Sequence, residues 1–401
     1  MTDRTPANGA IPRRPGLLQA AILIAAVIAG TMPMVIGPVL PAIQRHFSPA
    51  PGVALLVPML VTTPSLITAL LAGIMGLLSD KWGRRRLLIA AIILYGLAGT
   101  APLYLDNLPL IVATRALVGV AEAGAMTVST IMIGDYFSGQ RRDRIIAAQT
   151  TLASVSGIAI SLMGGWLGEW GWRGPFLVYG AMVLLLPPML LWLWEPARAR
   201  RQQAAPAHLQ GLATPGFIGA LAVSFLIGLG LMLIPVNLAY MLGEAGIGDP
   251  AAAGRVYAMA CLGTVSGTLL FAHGLAGRTA VALQFALCAA LCAIGTAAIG
   301  QAHTLWALTG WSVLTSLGIG ISLPAGTSWV LGMLSPAHRG RGVGLYMAAQ
   351  FIGAFISPLI VVPLALWLHS YAKAVQTSAW VFAPLAAYAL LSQPALRWRA
   401  R

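Results

Sequence analysis

Apolar stretches of about 20 residues, each long enough to cross the hydrocarbon core of a bilayer, recur along this whole chain. They predict spans near 17–40, 53–78, 86–105, 108–134, 145–168, 174–194, 215–242, 252–273, 279–300, 303–332, 343–368 and 374–393. Nothing in the bilayer core can satisfy an exposed backbone amide, so a crossing segment must be a helix or part of a closed barrel. The stretches are continuous rather than alternating, which selects helices. Of the 401 residues 58% are hydrophobic and 8% charged, too few charges to clothe a water-soluble surface of this size. The expected fold is an all-α polytopic membrane protein of twelve spans.

A formal charge of +14 raises the possibility of nucleic-acid binding, but its distribution points elsewhere. One set of alternating loops and the two termini carry 19 of the 24 Lys and Arg residues, among them Lys81, Arg84–86, Arg141, Arg142, Arg278 and Arg341. The other set carries 4 (Arg45, Arg173, Arg255 and Lys373), and Arg115 lies within a span. That bias places both termini in the cytoplasm and requires an even number of spans. No basic stripe carries interleaved aromatics, so no nucleic-acid partner is expected. Arg13-Arg14 before Leu17–Gly30 imitates a signal peptide, yet the apolar run continues to Val39 and further spans follow, so cleavage is not expected. Cys261, Cys288 and Cys292 all fall in spans and form neither a disulfide framework nor an aqueous metal site. The chain has no phosphate-cradling Gly-Lys-Ser/Thr loop and no nucleophile beside a base. No cofactor, metal or enzymatic activity is expected.

The loop after the second span reads Gly76-Leu-Leu-Ser-Asp80-Lys-Trp-Gly83-Arg84-Arg85-Arg86. Gly76 is expected to let two helices approach, Asp80 to end the first and Gly83 to reverse the chain. This pattern, at this place between spans, resembles the loop motif of the major facilitator superfamily. Two further patches are similar to that family: Arg115 followed by Gly119, Glu122 and Gly124 in span four, with Asp135 after it, and Gly157 to Gly165 in span five. Proton antiporters of the family usually carry Gly-Pro before the final Gly-Gly of span five, where this chain has Ile160-Ser161. The resemblance implies a secondary transporter with two six-helix halves, here 1–194 and 215–401 joined by a cytoplasmic linker over 195–214. Internal similarity supports the division. Gly37-Pro38-Val39-Leu40 and Ile234-Pro235-Val236-Asn237 lie about 197 positions apart, as do the Arg-rich segments before spans five and eleven.

The resemblance further implies a cytoplasmic gate formed by Gly76, Asp80, Gly83, Arg84, Arg85 and Asp135, with Asp80 facing the positive end of span eleven. Arg115 and Glu122 are the two charged residues deep in spans, a costly placement that usually serves function. Seven residues apart, they share one helix face at about 10.5 Å along the axis. Glu122 either carries the coupled proton or makes a structural hydrogen bond. Arg115 either meets an anionic ligand group or fixes span packing. Met32, Met34, Gln149, Asn237, Tyr240, Tyr257, Trp311, Ser312 and Gln350 lie in spans that line the family's central cavity and are candidate substrate contacts. Trp166, Trp170 and Trp172 are expected in an interfacial belt. The expected partners are a small amphipathic organic substrate, protons and membrane lipids, with the chain acting as a monomer in a bacterial inner membrane. The expected activity is proton-coupled efflux. Transport of one defined metabolite, such as an organic acid or siderophore, and uniport are the alternatives.

Overall fold

The computed structural model describes residues 15–48, 50–196, 214–335 and 338–391. All regular elements among them are helical. In chain order they are α1 (Leu17–His46), α2 (Val53–Trp82), α3 (Arg84–Leu103), α4 (Leu108–Tyr136), α5 (Gly139–Gly168), α6 (Gly174–Trp192), α7 (Pro215–Glu244), α8 (Pro250–Leu275), α9 (Val281–Ile299), α10 (Leu305–Met333) and α11 (Arg339–Leu368). Each of these eleven is long and apolar enough to cross a membrane. A twelfth, α12, runs through Tyr371–Thr377, Ser378–Val381 and Phe382–Leu391 and reaches the edge of the described residues. Most of the expected linker, 197–213, lies outside the described residues.

Buried apolar side chains form two clusters. One draws on α1 to α6, from Ala20 to Leu193, and takes in Val236 and Tyr240 from α7. The other runs from Phe217 to Leu385. Large apolar side chains such as Leu70, Leu77 and Leu184 point outward, as expected for a surface that faces lipid. Tyr104, Trp170, Trp306 and Trp367 are exposed near helix ends, where amphipathic rings sit best at a membrane interface. Trp172 departs from the expected belt. It is half-buried against His46, Phe47 and Phe176, whose rings close the gap between α1 and α6.

Two helices are interrupted where proline removes a backbone donor. In α1 the α-helical turns of Leu17–Ala26 give way to a 3₁₀ stretch, Val27–Val39, that contains Pro33 and Pro38. In α7 the helix breaks at Met232, just before Pro235. The two repeat segments meet there: a side chain at Gly37 would lie 3.2 Å from the Pro235 carbonyl oxygen and 3.0 Å from the Tyr257 ring.

Between the halves, α5 and α8 touch backbone to backbone. A Cβ on Gly165 would sit 2.9 Å from the Gly254 Cα, and one on Gly254 would sit 2.8 Å from the Gly165 Cα. A Cβ on neighbouring Gly164 would come within 2.3 Å of the Val35 carbonyl oxygen of α1. These contacts lie at the end of α5 remote from the Gly83 turn, so the far face of the molecule is sealed by small residues packed as in membrane helix dimers. Gly165→Val should therefore cost about 1–3 kcal/mol by overpacking and pry the far ends of α5 and α8 apart. Thermal unfolding in detergent should fall, and spin-label distances across that face should lengthen; unchanged distances would refute the assignment.

Candidate functional site

The turn between α2 and α3 is held by a charged latch. Gly83 adopts φ +95°, a conformation suited to glycine, and its N–H caps α2 by donating to the Ser79 carbonyl at 3.1 Å. Arg84 follows with a side chain only 9% exposed. Its guanidinium donates to Asp80 at 3.3 Å and to Asp135 at the end of α4. One arginine thus joins three helices. α11 packs along α2, so both belong to the wall that carries this latch. Asp80 sits in the last turn of α2 rather than ending it, since the helix continues to Trp82. Gly76 does not serve the expected close approach: a Cβ there would meet nothing within 4 Å.

Sequence reasoning missed the acid that completes the latch. Glu195, read as the first linker residue, caps α3 from across the bundle. Its carboxylate accepts the Arg84 N–H at 2.6 Å and the Arg85 N–H at 3.0 Å, while the Arg85 guanidinium donates to the Leu190 carbonyl at 2.6 Å. Beside it the Tyr136 ring stacks on Trp194 at 4.6 Å, and the Tyr136 hydroxyl bonds both the N–H and the carbonyl of Trp194. An acid directly after the last apolar residue of span six, on the face that carries the basic loop, was the available signal. A carboxylate at a helix N-terminus is worth about 0.3–1 kcal/mol, and up to about 2 when partly buried. Glu195→Gln should lower stability by about 1 kcal/mol and speed amide exchange at Arg84 and Arg85, read by thermal unfolding and hydrogen exchange.

Arg115 is fully enclosed between α3, α4 and α6. It donates to the Ala98 and Gly99 carbonyls at 2.6 and 3.1 Å and lies 5.2 and 5.1 Å from the ring centroids of Phe176 and Tyr179. Helix-end carbonyls and ring faces are what an unpaired buried guanidinium needs. Arg115 is thus packed among three helices of one bundle, while its Nε and Nη1 have no hydrogen-bond partner among the described residues. Arg115→Ala should cost about 3 kcal/mol, because it leaves both a void and orphaned carbonyls. It should weaken neutral and anionic ligands by the same factor, as measured by unfolding and by calorimetry.

Glu122, 3% exposed, lies further along α4. Thr68 of α2 donates to the Gly119 carbonyl at 3.2 Å, one turn before Glu122. One Glu122 oxygen has no protein partner. The rings of Tyr95 of α3 and Tyr179 of α6 stack at 5.5 Å. The Tyr95 hydroxyl donates to the Ala29 carbonyl at 2.7 Å, within the 3₁₀ stretch of α1. Glu122 therefore sits inside the first bundle.

A cavity of about 290 Å³ lies between the two halves. Thr31 and Met34 of α1 and Ala153, Gly157 and Ser161 of α5 form one wall. Ile234 and Pro235 of α7, Cys261 and Thr264 of α8, and Thr315 and Ser316 of α10 form the other. No charged side chain is among its described lining residues. Of the candidate contacts Met34 is among its lining residues, and Met32, Gln149, Asn237, Tyr257, Trp311 and Ser312 fall within a few residues of one that is. The larger side chains are used in packing. Tyr257 donates to the Pro235 carbonyl at 2.9 Å, Asn237 to the Leu233 carbonyl at 2.9 Å and Gln149 to Thr130 at 3.3 Å. Tyr240 stacks on Tyr371 at 4.3 Å, Trp311 packs against the second apolar cluster, and Met32 and Gln350 are buried.

Comparison with known proteins fits this geometry. The sequence model of the Major Facilitator Superfamily matches residues 22–301. The chain is 25% identical over 341 residues to the bacillibactin exporter of Bacillus subtilis (strain 168), covering 80% of this chain and 83% of that one. It is 29% identical over 314 residues to the 3-(3-hydroxy-phenyl)propionate transporter of Escherichia coli (strain K12), covering 73% and 74%. In fold it is similar to a bacterial homologue of the human lysosomal transporter Spinster in an inward-facing, unoccupied conformation, with a TM-score of 0.80 at 16% identity over 96% of this chain and 99% of that one.

Proposed function

The chain belongs to the Major Facilitator Superfamily, and on that premise we propose that it is a proton-coupled secondary transporter that exports a small amphipathic organic molecule by alternating access. The observation that carries this reading is the cavity between the halves, closed at the far face by the Gly165–Gly254 contact. Rocking the halves about such a cavity exposes it first to one side of the membrane and then to the other. The basic loops support a cytoplasmic Gly83 face, and the bacterial relatives support a bacterial inner membrane. The conformation described is then closed to the outside, and the latch of Asp80, Arg84, Asp135 and Glu195 keeps the inner ends of α2, α3, α4 and α6 together as one body while the halves move.

Proton coupling is assigned to Glu122. It is the one carboxyl group buried deep in a described span, and a carboxyl can take up and release a proton reversibly where Arg115 cannot. Its place outside the cavity makes the coupling indirect. A change of charge at Glu122 alters the setting of Tyr95, whose bond to Ala29 holds the segment of α1 that presents Thr31 and Met34 to the substrate. The bacillibactin exporter among the relatives supports export. The other reading, transport of an organic acid with Arg115 as the anion's partner, is disfavoured because Arg115 is enclosed away from the cavity.

The test is flux in proteoliposomes under an imposed pH gradient. Glu122→Gln keeps the shape of the protonated form. It should abolish gradient-driven accumulation, leave downhill exchange within about twofold and flatten the pH dependence of substrate binding. Full accumulation by this variant would sink the assignment.

A further inference from the structure

Of the described hydroxyl groups around the cavity, those of Ser161, Thr315, Thr264 and Thr31 have committed their protons, and Ser316 keeps its own free for a ligand. Ser161 donates to the Gly157 carbonyl at 2.7 Å, Thr315 to the Trp311 carbonyl at 3.0 Å and Thr264 to the Ala260 carbonyl at 3.4 Å, each one turn back along its own helix. Thr31 donates to the Ile28 carbonyl at 2.9 Å and lies 3.0 Å from Ser156. A hydroxyl whose proton is bound to a backbone carbonyl offers only oxygen lone pairs to whatever lies beside it. The rest of the wall is apolar, with Met34, Ile234, Ile319 and Leu323 prominent.

We propose that this cavity selects uncharged, mostly apolar molecules that carry hydroxyl or amide hydrogen-bond donors, and that it rejects carboxylates of the same size. The inference rests on the cavity being the transport site. A carboxylate has acceptors only and would meet Ser316 as its one hydroxyl donor among the described lining residues, with no described cation to offset the loss of its water. A cation would meet no carboxylate among the described lining residues. A neutral alcohol or amide turns its donor toward the partly exposed Thr31 or Thr264 and its apolar part toward Met34 and Ile319. The volume, at the lower end of ordinary ligand pockets, suits a single small ring system.

Cys261 supplies the readout. It lines the cavity and is partly exposed, whereas Cys288 and Cys292 are buried, so a maleimide reports on the cavity in the unmodified chain. The rate of alkylation would be measured with two matched pairs, para-hydroxybenzyl alcohol against para-hydroxybenzoate and hydroxyphenyl-propanol against hydroxyphenyl-propionate. Each alcohol should protect Cys261 at a concentration roughly a hundredfold below that needed for its acid. Thr31→Val, which removes a partly exposed acceptor at nearly constant shape, should weaken protection by the alcohols about fivefold. Thr264→Lys, which places a cation in the cavity, should bring the acids up to the alcohols. Acids that protect as well as their alcohols would overturn the proposal, as would no protection by any of the four compounds or an unaltered Thr31→Val. Protection by alcohols without flux in proteoliposomes would sink the transport reading and leave the binding inference standing.

Discussion

A helix in hydrocarbon has already satisfied its own backbone, so little drives it toward another helix except close contact. The whole architecture depends on where this chain permits such contact. Gly119 shows the principle within one bundle: a Cβ there would lie 2.7 Å from the Pro64 carbonyl oxygen of α2. Gly228 and Gly353 do the same between α7 and α11, and Gly165 with Gly254 does it between the halves. Contacts inside a half and contacts across the far face thus use the same chemistry. The difference is placement, since those at the far face must separate during transport. A seam of bare backbones, with no interlocking side chains to withdraw, separates easily.

The polar groups divide by depth. At the inner end, Arg84 and Glu195 bind α2, α3, α4 and the end of α6 into one unit through charge-assisted hydrogen bonds. Mid-membrane, Arg115 is held by carbonyls and ring faces, and Glu122 keeps one oxygen unpartnered. Burying a charge costs several kcal/mol even after relaxation, against about 1 kcal/mol for an ordinary hydrogen bond. Under the proposed coupling, an acid placed outside the cavity lets substrate and proton bind without competing for one position.

The spans were legible because bilayer thickness imposes a length that few other constraints imitate, and the predicted boundaries fall within a few residues of most helices. The Gly83 reversal was legible because its positive φ leaves few alternatives to glycine. The cavity was not. Spans that are apolar all round give no sign of which face turns inward, and large polar and aromatic side chains stand out in the sequence more than the small ones that line a cavity. Those residues fill gaps between helices, as Tyr257 does against Gly37, while the lining came from Thr31, Gly157, Ser161 and Thr264, which read as ordinary packing. Gly76 failed for a related reason: small residues mark where contact is permitted, not where it is made.

The 3₁₀ stretch of α1 gives the molecule a spring with a defined travel. A 3₁₀-helix rises about 2.0 Å per residue against about 1.5 Å in an α-helix. The thirteen residues Val27–Val39 therefore stand about 6 Å longer than the same residues would if α-helical. Rewinding half of that stretch would draw one end of α1 about 3 Å toward the other. The Tyr95 bond to Ala29 pins this segment near its start, and Pro33 and Pro38 keep the α-helical alternative incomplete. Stored length in one helix could thus move the cavity wall without any change in the loops that hold it.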